Sequence, residues 1–165
     1  MADNTKFIKG DPWIPITKKV SEHKSDKRKK SPVLVAIAYI SDHADELLPN
    51  LGKGDIVVCD ASESSIKGGI TSAKILLKWK NAGVRIICYE NLHAKVVVIG
   101  KTAFVGSANA SKSSVDDLHE AALQTDETLV VKGIKEFIHD AAERGTSLSK
   151  ASLKKLKEIK VVRKG

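Results

Sequence analysis

Apolar residues recur in short runs along the middle of the chain, and polar segments separate these runs. Continuous apolar runs of strand length are typical of strands that are covered on both faces of a sheet. Such runs predict strands over residues 33–40, 55–59 and 84–88. Later apolar runs predict a hairpin of two strands between His93 and Asn109, and then a strand over residues 120–124.

Helical spacing of apolar residues predicts helices between and after these strands. The predicted helices cover residues 42–48, 71–81 and 131–144, and a last helix begins after Ser149. Thr71 and Ser149 are predicted N-caps, because a hydroxyl oxygen can accept a bond from a first-turn N–H. Strands that alternate with helices predict an α/β protein, with a mixed β-sheet flanked by helices on both faces.

The chain divides into three predicted parts. Residues 1–31 form a polar, irregular N-terminal arm, residues 32–148 form the α/β domain, and residues 149–165 form a basic C-terminal helix. The charge run over residues 24–30 is either an arm that contacts phosphates or a solvated loop. The segment 11–15 is expected to pack against the domain rather than against a partner.

Charge adds a candidate partner to this picture. The 165 residues carry a formal net charge of +8, and basic proteins attract polyanions such as nucleic acids. Many basic proteins bind no nucleic acid, so the charge favours this partner without requiring it. No apolar run reaches the length of a membrane span, and residues 1–4 lack the shape of a signal peptide. We therefore expect a cytoplasmic protein without a membrane partner.

Two cysteines, Cys59 and Cys88, each end an apolar run. We expect both to be small core residues in a reducing compartment. A metal site or a redox pair is the less favoured alternative, because no His or Cys stands near either cysteine at ligand spacing. The sequence therefore predicts neither a metal nor a cofactor.

The hairpin carries the candidate chemistry. His93 and Lys95 are two positions apart, as are Ser107 and Asn109, and residues two apart in a strand face the same side of a sheet. If the two segments are neighbouring strands, an imidazole, an ammonium, a hydroxyl and an amide meet where they can hold and attack a phosphate. The alternative is a merely buried strand over residues 96–99 with His93 at its polar edge. The cost of burying an unpaired lysine argues against that alternative.

These residues resemble the signature of the phospholipase D superfamily, which contains His-x-Lys, then an Asp, then Gly-Ser with an Asn close behind. The matching residues are His93, Lys95, Gly106, Ser107 and Asn109. Gly100 stands at the position of the signature Asp, and the spacer from there to Gly106 is one residue short. The short spacer predicts a tight turn, and the missing Asp is a supporting group in the family rather than the nucleophile.

The resemblance implies a mechanism and a second subunit. The family's active site uses two His-Lys motifs that face each other, so one motif copy per chain implies a homodimer with a shared site. His93 is implied to form a covalent phosphohistidine, while Lys95 and Asn109 bind phosphate oxygens. Ser107 is implied either to donate a hydrogen bond to the phosphate or to fix Asn109. Glu120 matches an acidic residue of the small nuclease members, and it either orients His93 or is a solvated carboxylate.

The function implied by the resemblance, which covers residues 32–131, is metal-independent cleavage of nucleic acid. The chain resembles the small dimeric Nuc-type endonucleases and the metal-independent catalytic domains of restriction endonucleases. A phospholipase and a non-catalytic nucleic-acid-binding module are the alternatives.

DNA is favoured over RNA as the ligand, with weak or no sequence specificity. Contacts to nucleic acid are expected from Lys27, Arg28, Lys29, Lys30 and Lys112. The remaining histidines are expected on the surface: His23, His43, His119 and His139.

Overall fold

The apolar runs form the central strands of one eight-stranded sheet in the computed structural model, which describes residues 4–162. The strands are β1 (Thr5–Gly10), β2 (Leu34–Ile37), β3 (Ile56–Cys59), β4 (Arg85–Cys88), β5 (Lys95–Ile99), β6 (Thr102–Gly106), β7 (Glu120–Thr125) and β8 (Thr146–Ser147). Their order across the sheet is β1-β7-β6-β5-β2-β3-β4-β8. The pairs β2–β3 and β3–β4 are parallel and the other pairs are antiparallel, so the predicted mixed sheet is confirmed.

Helices cover both faces of this sheet, as predicted. They are α1 (Trp13–Ser25), α2 (Ala44–Leu47), α3 (Glu63–Lys67), α4 (Ala73–Asn81), α5 (Lys112–Asp116), α6 (Thr128–Arg144) and α7 (Lys150–Glu158). One core contains Trp13 of α1, Leu76 of α4 and Leu153 of α7, and a second core on the opposite face contains Ile138 of α6. No helix within residues 4–162 is long and apolar enough to cross a membrane.

The expectation that residues 1–31 are irregular is wrong. β1 pairs antiparallel with β7 at the edge of the sheet, and α1 buries Trp13, Ile16 and Val20 in the core. These three residues recur at helical spacing, but prolines and lysines between them obscure the pattern. Pro15 is compatible with the helix because it lies in the first turn, where the N–H groups have no partner within the helix. The packing of segment 11–15 against the domain is confirmed by Trp13, which is 2% exposed.

The predicted helix boundaries differ by small amounts from the observed ones. Ser72, not Thr71, is the N-cap of α4, because its hydroxyl accepts from Ile75 N. The Thr71 hydroxyl instead donates to the carbonyl of Asp60 at 2.8 Å. Ser149 caps α7 as predicted. The short elements α3, α5 and β8 carry too few residues to show a period in the sequence.

The hairpin of β5 and β6 is confirmed, and its turn is the predicted tight one. Gly100 and Lys101 alone connect Ile99 to Thr102. Gly100 has φ +59°, the left-handed conformation that two-residue hairpin turns require. The shortened spacer of the signature therefore corresponds to a two-residue turn at the end of β5.

Cys59 and Cys88 occupy neighbouring positions at the ends of β3 and β4, and both are free thiols. Cys59 is fully buried and Cys88 is half-buried, which agrees with the expectation of small core residues. Burial raises the pKa of both thiols, so both stay protonated at neutral pH.

Candidate active site

The residues of the signature meet beside the C-terminal ends of β2, β3 and β4. These strand ends form the edge of the sheet that carries the candidate site. β5 runs antiparallel to β2, so its first residue, Lys95, lies opposite the last residue of β2, Ile37. Just before β5, the carbonyl of Ala94 accepts a hydrogen bond from Ala38 N at 2.9 Å. His93 precedes this bond and is exposed, so its ring faces solvent at the strand edge.

Lys95 holds its ammonium beside His93. Its Nζ donates to the carbonyl oxygen of His93 at 2.9 Å, which places the charge next to the imidazole-bearing residue. Burial lowers the pKa of Lys95, and the nearby carboxylate of Glu120 partly opposes this by raising it. The ammonium is therefore partly desolvated, and a desolvated cation interacts more strongly with a phosphate than a solvated one.

The turn after β6 requires a glycine followed by a hydroxyl. A Cβ on Gly106 would lie 2.5 Å from the carbonyl oxygen of Ala121, so any side chain at this position would force β6 and β7 apart. Ser107 N donates to the same carbonyl oxygen at 3.1 Å. The Ser107 hydroxyl accepts from Ala121 N and donates to the carboxylate of Glu120. Ser107 thus joins the end of β6 to the start of β7.

Asn109 presents its amide donors to the site. Its Oδ1 accepts a hydrogen bond from Tyr39 N at 3.3 Å, which leaves the two Nδ2–H groups available to a ligand. Its carbonyl oxygen accepts from Trp13 Nε1 at 3.0 Å. Trp13 and Tyr39 therefore position Asn109 from two sides, and neither residue carried a functional signal in the sequence.

Glu120 differs from both roles expected for it. It is 6% exposed, so it is not a solvated carboxylate. Among residues 4–162 its side chain bonds to Ser107 and not to the ring of His93. Because β7 begins at Glu120, this carboxylate is anchored on the strand next to the Ser107 turn. Burial lowers the pKa of Lys95, and the charge of Glu120 acts to raise it. The Ser107 hydroxyl, which was one candidate donor to phosphate, donates its hydrogen bond to Glu120 instead.

Within residues 4–162, none of the other four histidine rings is hydrogen-bonded to Lys95, Ser107, Asn109 or Glu120. His43, His119 and His139 are exposed, as expected. The expectation for His23 is wrong, because it is 5% exposed. Its Nε2 lies 2.8 Å from the carbonyl oxygen of Ser31, and its ring lies against Gly100 at the opposite end of β5.

Asp60 is a site residue that the sequence reading missed. It follows β3 directly and is 7% exposed, and it accepts hydrogen bonds from Ser62 N at 3.0 Å and Asn91 N at 3.1 Å. Asn91 has φ +65° and stands two residues before His93. Burial acts to raise the pKa of Asp60, but the hydrogen bonds from Ser62 and its neighbours outweigh this and hold the pKa below its usual range. The sequence contains one sign of this role, because Asp60 is an acidic residue directly after a buried strand.

The variant Asp60→Asn is expected to destabilise the protein at neutral pH by about 1–3 kcal/mol, because an amide cannot accept both N–H bonds as a carboxylate does. A carboxyl with a lowered folded pKa stabilises the protein above its unfolded pKa of about 3.9, and this contribution is lost as the pH falls through the folded pKa. Urea unfolding at pH 7 and near pH 3 measures the free energy of unfolding of the variant and of the unmodified protein. The difference between the two proteins should therefore be smaller near pH 3 than at pH 7. The exposed Glu143→Gln variant is the control, and an equal loss at both pH values would contradict the role of the charge.

The structure separates the lysines and arginine that were expected to bind nucleic acid. Lys112 lines a cavity of about 450 Å³ together with Tyr39 and Asn109, beside the candidate site. The four residues over 27–30 follow α1 at the other end of the molecule, and Arg28, Lys29 and Lys30 line a different cavity next to Gly100. The residues expected to bind nucleic acid therefore lie in two places, with Lys112 beside the candidate site and residues 27–30 far from it.

This edge brings together groups that are able to bind a phosphate. One exposed imidazole, one ammonium and one amide with free donors lie together, with a buried carboxylate behind them. Phosphate oxygens bind to ammonium and amide donors, and an imidazole can attack phosphorus or transfer a proton. Within residues 4–162 no group of three or more His, Cys, Asp or Glu side chains is placed to hold a metal ion.

Comparisons with known proteins agree with this geometry. Residues 30–141 match the family described as cardiolipin synthase, PLD-like domain. No curated protein sequence matches the chain. Among solved structures, NucT from Helicobacter pylori shares 21% identity with a TM-score of 0.63, covering 87% of this chain and 98% of its own.

Two further structures share the fold. Nuc from Salmonella typhimurium, a phospholipase D family member, is 16% identical with a TM-score of 0.67, covering 87% of this chain and 98% of its own. TrmBL2, an archaeal chromatin protein that binds DNA, is 11% identical with a TM-score of 0.60, covering 88% of this chain and 54% of its own. The expected likeness to the Nuc-type proteins is confirmed at the level of the fold.

Proposed function

This chain belongs to the family of phospholipase D-like domains described as cardiolipin synthase, PLD-like domain, and we propose that it is a nuclease that cleaves nucleic acid without a metal. The observation that carries the proposal is the joint placement of His93, Lys95 and Asn109 at one strand edge, with their phosphate-binding groups available. The net charge of +8 favours a polyanionic substrate. The DNA-binding chromatin protein of the same fold supports DNA as the ligand.

The proposed first step forms a covalent intermediate. A ring nitrogen of His93 attacks the phosphorus, a P–N bond forms, and the P–O bond to the leaving oxygen breaks. His93 of the partner subunit donates its proton to that leaving oxygen. Lys95 and Asn109 of both subunits hold the non-bridging oxygens, where negative charge is concentrated in the transition state.

In the second step water releases the product. His93 of the partner subunit, now neutral, takes a proton from a water molecule whose oxygen attacks phosphorus, and the P–N bond breaks. The two imidazoles return to their starting states, so protons and bonds balance over the cycle. Glu120 and Ser107 contribute by fixing the turn that leads to Asn109, not by contacting the phosphate.

Gly100 does not weaken this proposal. It lies in the turn at the far end of β5, against the ring of His23, rather than at the edge that carries His93. The missing signature Asp therefore removes no side chain from the catalytic edge. The glycine at position 100 therefore gives no support to a binding module without turnover.

A homodimer follows from the same chemistry, because in-line displacement needs two imidazoles on opposite sides of phosphorus and the chain carries one motif. An uncovered apolar face supports this arrangement. Phe7, Leu123 and Val105 form one row across β1, β7 and β6, and they are 68%, 48% and 40% exposed. Val105 pairs with Val96, which belongs to the core under α6. The row therefore lies on the same face as α6, beyond the part of the sheet that α6 covers.

We propose that a second copy of the chain covers this face, which we call the β7 apolar face and define by Phe7, Val105 and Leu123. α6 also exposes three apolar residues, Leu129, Val130 and Phe137. A two-fold axis would place α6 of each subunit on the β7 apolar face of the other, a self-complementary contact. Ser107 follows Val105 by two positions, so this contact adjoins the catalytic edge and brings the two edges near each other.

Cleavage is expected to persist when divalent metals are removed. The nucleophile, the proton donor and the charge stabilisation all come from side chains, so plasmid nicking in excess EDTA should proceed at the rate seen in buffer without EDTA. Loss of nicking in EDTA that magnesium restores would exclude this mechanism. Binding without nicking would support the binding-module alternative, and release of headgroups from phospholipid vesicles without nicking would support the phospholipase.

A further inference from the structure

A second concave surface lies at the opposite end of the molecule from His93. It is a cavity of about 510 Å³ between the end of α1, the segment after α1 and the β5–β6 turn. We call it the distal basic cavity. Its charged lining consists of Lys19, Arg28, Lys29, Lys30, Lys101 and Glu22.

The cations of the distal basic cavity are mostly unpaired. Arg28 is held by Asp26 through two hydrogen bonds of 3.0 and 3.1 Å. Within residues 4–162, the side chains of the four lysines of the lining have no acidic partner within ion-pair distance and no hydrogen bond. Like charges that are crowded into one concavity repel one another, and a bound anion relieves this repulsion.

The floor of this cavity includes the ring of His23 and the turn at Gly100. The ring of His23 is buried there, with Nε2 at 2.8 Å from the carbonyl oxygen of Ser31. A Cβ on Gly100 would lie 3.7 Å from that ring, so the glycine and the ring are in close contact. Because Gly100 stands where the signature carries an Asp, this chain has no carboxylate at a position where one would offset the lysines.

Helix α1 connects the distal basic cavity to the catalytic edge. At its start, Trp13 Nε1 donates to the carbonyl oxygen of Asn109, and near its end His23 contacts Gly100. Ten residues of helix separate these two points, which corresponds to about 15 Å at 1.5 Å per residue. Lys18 is exposed between them. A nucleic acid strand that lies along α1 would therefore meet the positive charge of Lys18 between the two sites.

We propose that the distal basic cavity is a second phosphate-binding site, which holds the backbone of the same nucleic acid that is cleaved at the His93 edge. This inference rests on the proposed function for the identity of the ligand. The two contacts lie about 15 Å apart along α1, so a single strand must span about 15 Å to reach both. Substrates longer than this should gain affinity from the cavity, and shorter ones should not.

The test is a binding titration with fluorescent oligothymidylates of about three and about fifteen nucleotides, carried out on a His93→Ala background so that no substrate is cut. The triple variant Lys29→Glu/Lys30→Glu/Lys101→Glu removes the cavity charge, and the milder Lys→Gln set at the same positions guards against misfolding. Lys150→Glu/Lys154→Glu/Lys155→Glu changes the net charge equally on exposed positions of α7. Circular dichroism should show all four proteins folded.

The unmodified cavity should bind the long oligonucleotide at least about tenfold more tightly than the short one at 0.1 M salt, and the cavity variants should lose this gain. The slope of log affinity against log salt for the long ligand should become shallower by about 2. This is the change expected when three lysines no longer release counterions from single-stranded phosphates. Binding of the short ligand should not change. An equal loss in the α7 control, or full affinity of the cavity variants for the long ligand, would overturn the inference.

The same titration separates this inference from the proposed function. Length-dependent binding that needs the cavity, together with no plasmid nicking by the protein that retains His93, would contradict the nuclease and support the second phosphate site. Plasmid nicking together with an affinity that does not depend on ligand length would support the nuclease and contradict the second phosphate site. Cavity-dependent binding to vesicles of anionic phospholipid, with no binding to oligonucleotides, would overturn nucleic acid as the ligand.

Discussion

Replacement of His93 by Ala is expected to lower the rate of nucleic acid cleavage by about 10⁴-fold or more, because a symmetric dimer loses its nucleophile and its general acid in one substitution. His93 is exposed, and within residues 4–162 its side chain has no hydrogen bond or ion pair, so the variant should fold and dimerise normally. Single-turnover cleavage of a labelled DNA substrate measures the chemical step directly.

Lys95→Ala and Asn109→Ala should show nearly as large a loss, about 10³-fold, since each removes charge stabilisation from both halves of the site. Substrate binding should survive in part in all three variants, because the phosphate meets other cations. The matched control is His139→Ala, which removes an exposed imidazole on α6. Cleavage by His93→Ala at the unmodified rate would show that the activity belongs to another site or another protein.

Disruption of the β7 apolar face is expected to convert the protein into a folded monomer that does not cleave. Leu123→Asp/Phe137→Asp places charge on both sides of the proposed contact, on the sheet and on α6, and an unpaired buried carboxylate costs far more than the contact provides. Both side chains are about half exposed in the single chain, so the monomer should tolerate the change. Sedimentation should show a dimer for the unmodified protein at micromolar concentration and a monomer for the variant, with the rate of cleavage reduced by several orders of magnitude.

Ile14→Asp is the matched control for this experiment. Ile14 is 70% exposed on α1, which packs on the opposite face of the sheet, so its replacement should leave both the dimer and the activity unchanged. Mixed dimers of His93→Ala and Lys95→Ala subunits should stay inactive, because the shared pocket lacks one imidazole and one ammonium. A strictly monomeric protein that cleaves at the normal rate would contradict the shared site.

The central strands and the signature hairpin were predictable from local sequence. A run such as residues 33–37 is apolar at every position, and only burial on both faces of a sheet satisfies such a run. The placement of Lys95 followed from the same logic, because side chains alternate along a strand and the spacing to His93 is even. These features depend on near neighbours in the chain, so the sequence displays them.

The partners of Glu120 and Asn109 depend on contacts between distant segments. Glu120 bonds to Ser107 because β6 and β7 pair in the register that sets Gly106 opposite Ala122. Trp13 reaches the carbonyl of Asn109, 96 positions away. Register and helix docking are decided by which apolar faces cover one another, and the local pattern does not specify these pairings.

The sequence by itself determined the fold class, the central strands and the residue types of the candidate site, because these follow from short-range apolar periodicity and from the spacing of a few polar residues. The tertiary structure alone decided that residues 5–25 belong to the sheet and the core. It also decided that Lys112 and residues 28–30 lie near opposite ends of α1. It decided as well that the β7 apolar face is exposed in the single chain. The physical reason is that burial and charge clustering are properties of surfaces, and a surface is assembled from segments that are far apart in the chain.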